Sequence, residues 1–552
     1  MPESRIRRLK SFIRMKLQGP ENARKYTTKE IGGLLLEYAK TYPVNIVVAI
    51  VMAVWTQTEL FGFGSLEWAA LQTGNDSVSS FVCCLILAFV FQRLTHSAKW
   101  RWLLSGLAVV LGALLPLFLM TDAALVSAQN LDTLLESDVK EGAEFLSAIP
   151  TEDWVFSIGA GILAALSVGF TRPFKPSEFH PDETRFYRQW TIFALVCLLI
   201  IPAASPINDI GRGIYVMTKL RYTTPETTWH VTGCCIKHPK ADNYVIFMSE
   251  ALSEKVMGLY GAPFDTTPFL SSVPSKRIET FVSASHATAA AVSFFSAMEN
   301  SKDITHPSYE NNIINIAKEA GLKTYWVSSQ GKTSAFEAPI SYIASQTDQQ
   351  YFVKKHDDFA VIPAVKEIVS SSTPGTKGRL IFIHTYGAHE RTCDRVADFG
   401  KPFKTGAEEF IDCYLASAAK ADKVVESVVK TIKATGQTYS LIFTSDHAIN
   451  WRRDKGELKA VRNSTYQGQY SVPFVQIGEG VTETTVSRVQ RASVRFLDYF
   501  PTWIGVLTNK TPPAYDVFND GSDEAEIIKP DGKKTKFSSL KRTPTTAEIL
   551  LK

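Results

Sequence analysis

Beyond residue 205, no stretch of this 552-residue chain interleaves aromatic side chains with a cluster of Lys and Arg, and the formal net charge is only +4. That combination excludes nucleic acid as a partner. No segment recurs along the chain, so it is not a repeat array. Gly331-Lys332-Thr333 has Trp rather than Gly at position 326, which rules out a nucleotide-binding P-loop. No histidine follows His447, so imidazole chemistry is confined to the residues before that point. A cleavable signal peptide is not expected: the basic N-terminal segment is too long, and the first apolar run lies too far in.

Apolar residues crowd the first 204 positions. Five stretches almost free of charge cover roughly 44–62, 80–95, 102–121, 154–170 and 189–204. Each is close to the ~20 residues that cross a bilayer core, and their succession predicts an N-terminal domain of five transmembrane helices. Lys and Arg concentrate before residue 43 and in the loops after the second and fourth stretches. The loops at 63–79 and 122–153 hold one basic residue, Lys140. This asymmetry predicts a multi-pass protein of the bacterial inner membrane, with a cytoplasmic N-terminus and a periplasmic catalytic part. The expected organisation is a cytoplasmic segment (1–43), a transmembrane domain (44–204), a juxtamembrane bridge (205–240), a catalytic domain (241–510) and a loosely ordered tail (511–552). Within the exported part, Cys393 and Cys413 can close a loop of about 20 residues as a disulfide, worth ~3 kcal/mol through chain entropy. Cys234 and Cys235 have no evident role.

From residue 242, strands and helices alternate. Apolar, β-rich runs at 244–248, 324–328, 379–383 and 439–445 predict strands, and 254–260, 288–298, 311–320, 412–433 and 494–503 predict helices. Alternation of this kind predicts an α/β/α domain around a mostly parallel sheet. Three of these strands run directly into polar residues: Ser249-Glu250, His384 and Asp446-His447. In α/β proteins the carboxyl ends of strands are where chemistry sits. Glu250, Asp446, His447 and the hydroxyl of Thr288 form an O,O,O,N set suited to a divalent cation, with Zn2+ the first choice. A threonine hydroxyl is a poor nucleophile at neutral pH, and binding to a dication makes its proton far easier to lose. Ser285 is the rival nucleophile, and a simple helix cap is the plain alternative for Thr288.

Taken in order, these residues resemble the membrane-bound phosphoethanolamine transferases of the alkaline-phosphatase and sulfatase superfamily. Glu250 with Tyr260-Gly261 and Thr266-Thr267-Pro268 is similar to that family's opening pattern, and Thr288 lies at the spacing of its nucleophile. His384-Thr385-Tyr386-Gly387-Ala388-His389 is similar to its His-Thr-x-Gly-Ser-His pattern. Ser445-Asp446-His447 and Val472-Pro473-Phe474 match its later motifs. The resemblance implies Zn2+ held by Glu250, Thr288, Asp446 and His447, with His384 and His389 steadying the phosphoryl charge or protonating the leaving oxygen. It further implies transfer of phosphoethanolamine from phosphatidylethanolamine, a membrane lipid, to a cell-envelope glycan or glycolipid such as lipopolysaccharide through a phospho-threonine. Two alternatives stand beside it: a phosphoglycerol transferase of the same superfamily, and a non-catalytic membrane scaffold that kept the fold. The chain departs from the pattern at Ala448-Ile449, where many members have Gly-Glu, and at Lys459, where many have a further histidine. It has no Cys- or Ser-x-Pro-x-Arg segment able to form the formylglycine nucleophile of sulfatases.

Overall fold

A seven-residue strand, Asn243–Ser249 (β1), is buried at every position, as a strand covered on both faces must be. It is the centre of a nine-stranded sheet in a computed structural model, which describes residues 227–544 apart from short internal stretches, Glu548, and a few isolated positions before residue 163. The other strands are Ser275–Val282 (β2), Lys323–Ser328 (β3), Gln349–Phe352 (β4), Arg379–His384 (β5), Tyr439–Ser445 (β6), Ser471–Val472 (β7), Phe474–Gly478 (β8) and Thr485–Ala492 (β9). They lie in the order β4–β3–β5–β1–β6–β8–β2–β9, with β7 also on β2. β1 pairs in parallel with β5 and β6, placing Met248 beside both His384 and Thr444. That register brings Glu250, His384 and Asp446 together at the carboxyl end of the central strands.

Alternation of side chains along the strands sends successive residues to opposite faces and builds two cores. Tyr244, Ile246 and Met248 pack on one face with Phe382, Trp326 and Ile442. The helices there are Thr288–Ser296 (α1), Ile313–Glu319 (α2), Pro339–Ser345 (α3) and Phe496–Ile504 (α6). Val245 and Phe247 face the other side, against Val361–Ser370 (α4) and Glu409–Lys433 (α5). The three-layer α/β/α arrangement expected from the sequence is therefore present. The predicted helix at 254–260 is instead two single turns, Glu254–Val256 and Gly258–Tyr260.

Three expectations need correction. The sheet is mixed rather than mostly parallel: β7 and β8 run antiparallel to β2, and β8 also to β6. The cause is the connection after β6, which contains the hairpin Asn450–Asp454/Glu457–Val461 and a turn at Gln467–Gln469 but, among its described residues, no α-helix. Without a crossover helix the chain re-enters the sheet from the end at which it left, and so runs the other way.

The expected multi-pass inner-membrane architecture, with its transmembrane helices and cytoplasmic N-terminus, is also overturned. No helix among the described residues is long and apolar enough to cross a membrane. The longest, α5, has the length, but it carries charge along its exposed face, including Glu409, Lys423, Glu426 and Lys430. The five apolar stretches between 44 and 204, the bridge up to residue 226 and Cys234-Cys235 lie outside the described residues, isolated positions excepted.

The described part of the tail, finally, is not loose. The strands Glu526–Ile528 and Lys534–Lys536 pair, and Ile527 and Phe537 pack against Val282 and Tyr470. Alternating apolar positions in so short and polar a segment give almost no periodic signal.

The predicted disulfide Cys393–Cys413 is formed, joining the short helix Thr392–Arg395 to α5 across 20 residues of sequence. Breaking it by reduction or by Cys413→Ser is expected to destabilise the protein by about 3 kcal/mol. Thermal unfolding with and without reductant measures this, and an unchanged transition contradicts it.

Candidate active site

β1 and β6 each end one residue before a buried carboxylate. Glu250 and Asp446 are 0% and 3% exposed, and His447 beside them is 1% exposed. One ligand atom from each of the three lies within 4.8 Å of the others. His447 Nε2 is 3.3 Å from Glu250 Oε1 and 3.5 Å from Asp446 Oδ2. Thr288 closes the group: its Oγ1 donates to Glu250 Oε1 at 3.0 Å and lies 3.3 Å from His447 Nε2. Four donors placed tetrahedrally at ~2 Å bonds around one centre are about 3.3 Å apart, close to the 3.0–3.5 Å of the four contacts above.

Two further observations fit a divalent cation. Asp446 Oδ2 is buried and has no hydrogen-bond partner. His447 Nδ1 lies 3.2 Å from the carbonyl of Ala448, which can only accept, so that nitrogen is held as a donor and Nε2, which faces the cluster, is the one available to a metal. The electrostatics agree. Burial opposes the charge on Glu250, yet the imidazoles of His384 and His447 hold its carboxyl well below the usual carboxylate range. Burial and then the Glu250 charge push Asp446 up to about 6. A dication at the common point of these donors would replace that repulsion with attraction for both carboxylates.

The backbone around the site is tied down from several elements. Ala251, immediately after Glu250, has φ +56°, a strained conformation for an L residue. Its N–H donates to Asp446 Oδ1 at 2.9 Å, and the next N–H, of Leu252, donates to Ser445 Oγ at 2.9 Å. The hydroxyl of Tyr414 on α5 donates to Ala251 O and accepts from the N–H groups of Ser253 and Ile449, so one phenol joins the loops after β1 and β6. Asp358 accepts from the N–H groups of Tyr386 and Gly387 at 2.7 and 3.0 Å, fixing the loop after β5. That loop backs onto Glu250, whose carbonyl accepts the N–H of Ala388 at 2.9 Å.

The structure brings Glu250, Thr288, Asp446 and His447 together. Thr288 is the first residue of α1, preceded by Ala287 at the cap position, and its hydroxyl faces Glu250. Ser285 is buried, and its Oγ accepts the N–H of Ala287 within its own turn. His384 Nε2 is 3.8 Å from Glu250 Oε2. His389 stands farther out, half-buried and stacked on Tyr386 with ring centroids 4.9 Å apart. Lys332 lies outside the described residues, but its neighbour Gln330 donates to Glu250 Oε2 at 3.1 Å and to Thr385 O at 2.8 Å. Asp358 and Tyr414 were not identified from sequence, and Ser445 was read only as part of a motif, without its bond to Leu252. They act on backbone groups far along the chain, and no local spacing marks such a contact.

The chain is similar to several known proteins. Residues 242–509 match the family model described as Sulfatase. Phosphoethanolamine transferase OpgE of Escherichia coli is 24% identical over 429 residues, covering 71% of this chain and 79% of that protein. Phosphoethanolamine transferase EptC of the same species is 26% identical over 260 residues, 42% of this chain and 44% of that protein. The structure of the integral membrane protein lipooligosaccharide phosphoethanolamine transferase A (EptA) from Neisseria meningitidis superposes with a TM-score of 0.59 at 12% identity, over 85% of this chain and 97% of that one. This last likeness is one of fold.

A substitution behind Glu250 tests the rigidity of the site. Gly387 has φ +50°, and a Cβ there would lie 2.7 Å from Glu250 N. Gly387→Ala is expected to cost at least ~2 kcal/mol and to lower divalent-metal content. Thermal unfolding and elemental analysis of the purified chain check this, and a variant matching the parent in both contradicts it.

Proposed function

From the family-level match of this chain to the superfamily of phosphoethanolamine transferases, sulfatases and alkaline phosphatases, we propose that it is a zinc-dependent phosphoethanolamine transferase working through a phospho-threonine at Thr288. The observation that carries the reading is the hydroxyl of Thr288, within 3.0 Å of Glu250 and 3.3 Å of His447, at the head of a helix. The residues that would hold Zn2+ are Glu250, Asp446 and His447, with the Thr288 oxygen as fourth donor. Bound there, the ion supplies a Lewis acid that lowers the pKa of the threonine hydroxyl and stabilises negative charge on phosphate oxygens.

The chain's own groups divide the remaining work. Thr288 loses its proton to solvent and attacks the phosphorus of phosphatidylethanolamine. The new bond joins Thr288 Oγ1 to phosphorus, and the bond that breaks releases the diacylglycerol oxygen, which takes a proton from His389 or His384. The first N–H groups of α1 have no side-chain cap and meet the phosphate oxygens. A hydroxyl or phosphate of an envelope glycan or glycolipid then attacks the same phosphorus, passes its proton to the histidine if it has one, and displaces Thr288. Gln330 holds Glu250 from the other side and keeps its second oxygen from turning.

The reading predicts that the full chain releases diacylglycerol from phosphatidylethanolamine in detergent micelles, and that phosphatidylglycerol is a poorer donor. Thr288→Ala and Asp446→Asn should each lower the rate at least about a thousand-fold. A chelator should abolish it, and Zn2+ restore it. Equal rates with Thr288→Ala would sink the nucleophile assignment. Preference for phosphatidylglycerol would make the chain a phosphoglycerol transferase.

A further inference from the structure

The C-terminal segment makes contacts that an accessory tail would not need. Thr543 is 0% exposed, as are Asn450 and Gln469. Its Oγ1 accepts the N–H of Gly468 at 2.8 Å and donates to Asn450 Oδ1 at 2.7 Å. Its carbonyl accepts Lys255 Nζ at 2.9 Å. Two residues earlier, Lys541 N–H donates to Thr465 O, and Lys541 O accepts the N–H of Gln467, both at 2.9 Å. The turn 465–469 is therefore gripped on both sides by 541–543. A side chain at Gly468 would collide with Thr543, so the close approach is part of the sequence.

What that turn does next matters. Gln469 brackets Ala448: its side-chain amide donates to Ala448 O, and its carbonyl accepts the Ala448 N–H at 3.0 Å. Ala448 O is also the acceptor of His447 Nδ1, the bond that aims Nε2 at the metal cluster. The path from Thr543 to His447 thus consists of three hydrogen-bonded links, Thr543–Gly468, Gln469–Ala448 and Ala448–His447, joined by the peptide between Gly468 and Gln469. Farther up the same segment, Ile528 N–H donates to Ala284 O at 2.8 Å, in the loop that leads to Thr288. Ile528 itself packs with Ala284, Ala290 and Phe294 of that loop and helix.

We propose that residues 526–529 and 534–544 are a clamp on the active site, with Thr543 as the positioning residue that orients the metal ligand His447 through Gly468, Gln469 and Ala448. The proposal rests on the metal reading above and assigns a role beyond it. Ordinary stabilisation of the fold would not distinguish Thr543 from other buried residues. A clamp makes the geometry of the metal site depend on one hydroxyl.

The test is Co2+ titration of the full-length chain, following the visible d–d band that reports tetrahedral coordination. Thermal unfolding is recorded in parallel. Thr543→Val keeps the shape and removes both hydrogen bonds. Thr543→Ser keeps the hydroxyl. Thr543→Val is expected to bind Co2+ about ten-fold more weakly with an altered band, and Thr543→Ser to stay within about two-fold of the parent. Gly468→Ala, which drives Thr543 off the turn, should reproduce the loss and serves if Thr543→Val does not fold. Parental affinity and band in Thr543→Val or Gly468→Ala, whatever the melting temperature, overturns the clamp alone. A parent chain that takes up no Co2+ overturns the metal reading and the clamp with it.

Discussion

Glu250 and Asp446 leave adjacent parallel strands at the same height and point at the same place, and neither is more than 3% exposed. Two carboxylates so placed repel in a medium that screens poorly, and the structure registers the conflict: Glu250 keeps its charge while Asp446 is pushed up to about 6. Strand register fixes their separation, so the fold cannot relieve the repulsion by moving them apart. Positive charge must come to them. His447 contributes one imidazole from within the cluster and His384 another at its margin. A dication satisfies the whole set, including the oxygen of Asp446 that has no hydrogen-bond partner.

Much of the surrounding structure follows from holding that unfavourable pair in place. Tyr414 and Ser445 tie the two strand-end loops together, and Asp358 pins the neighbouring loop that backs Glu250. These contacts spend buried polar groups on backbone N–H and C=O atoms, where each loop would otherwise leave unpaired polar groups in the core. Strain at Ala251 and the left-handed turn at Gly387 are the conformational cost of turning sharply enough to aim Glu250. The C-terminal segment extends the same scheme to His447 and to the loop before Thr288. Support for the site therefore comes from sequence positions nearly 300 residues apart, for example Lys255 and Thr543, with a separation of 288.

The parts legible in the sequence were those written locally. Apolar runs ending in Glu250, His384 and Asp446-His447 marked strand ends, and spacing placed Thr288 at a helix start, where it is. Cys393 and Cys413 paired as their spacing suggested. The reversed run at 471–478 was missed because direction depends on the connection before it, and that connection has a hairpin where a crossover helix would be needed. The tail was underrated because its few apolar residues, such as Ile527 and Phe537, show no periodicity and acquire meaning only against Val282 and Tyr470. Asp358 and Tyr414 bond to distant partners, and no pattern in one sequence announces such pairs. The five apolar stretches predicted a membrane domain that no described helix supports.

The central claim is that Thr288 is the group that carries the phosphoryl moiety between donor and acceptor. Peptide mass spectrometry of the chain after incubation with phosphatidylethanolamine, quenched before acceptor is added, tests it most directly. The account predicts a mass increase equal to phosphoethanolamine on the peptide containing Thr288, lost again when acceptor is supplied. An unmodified Thr288 during active turnover, or the same adduct on Ser285, would contradict it.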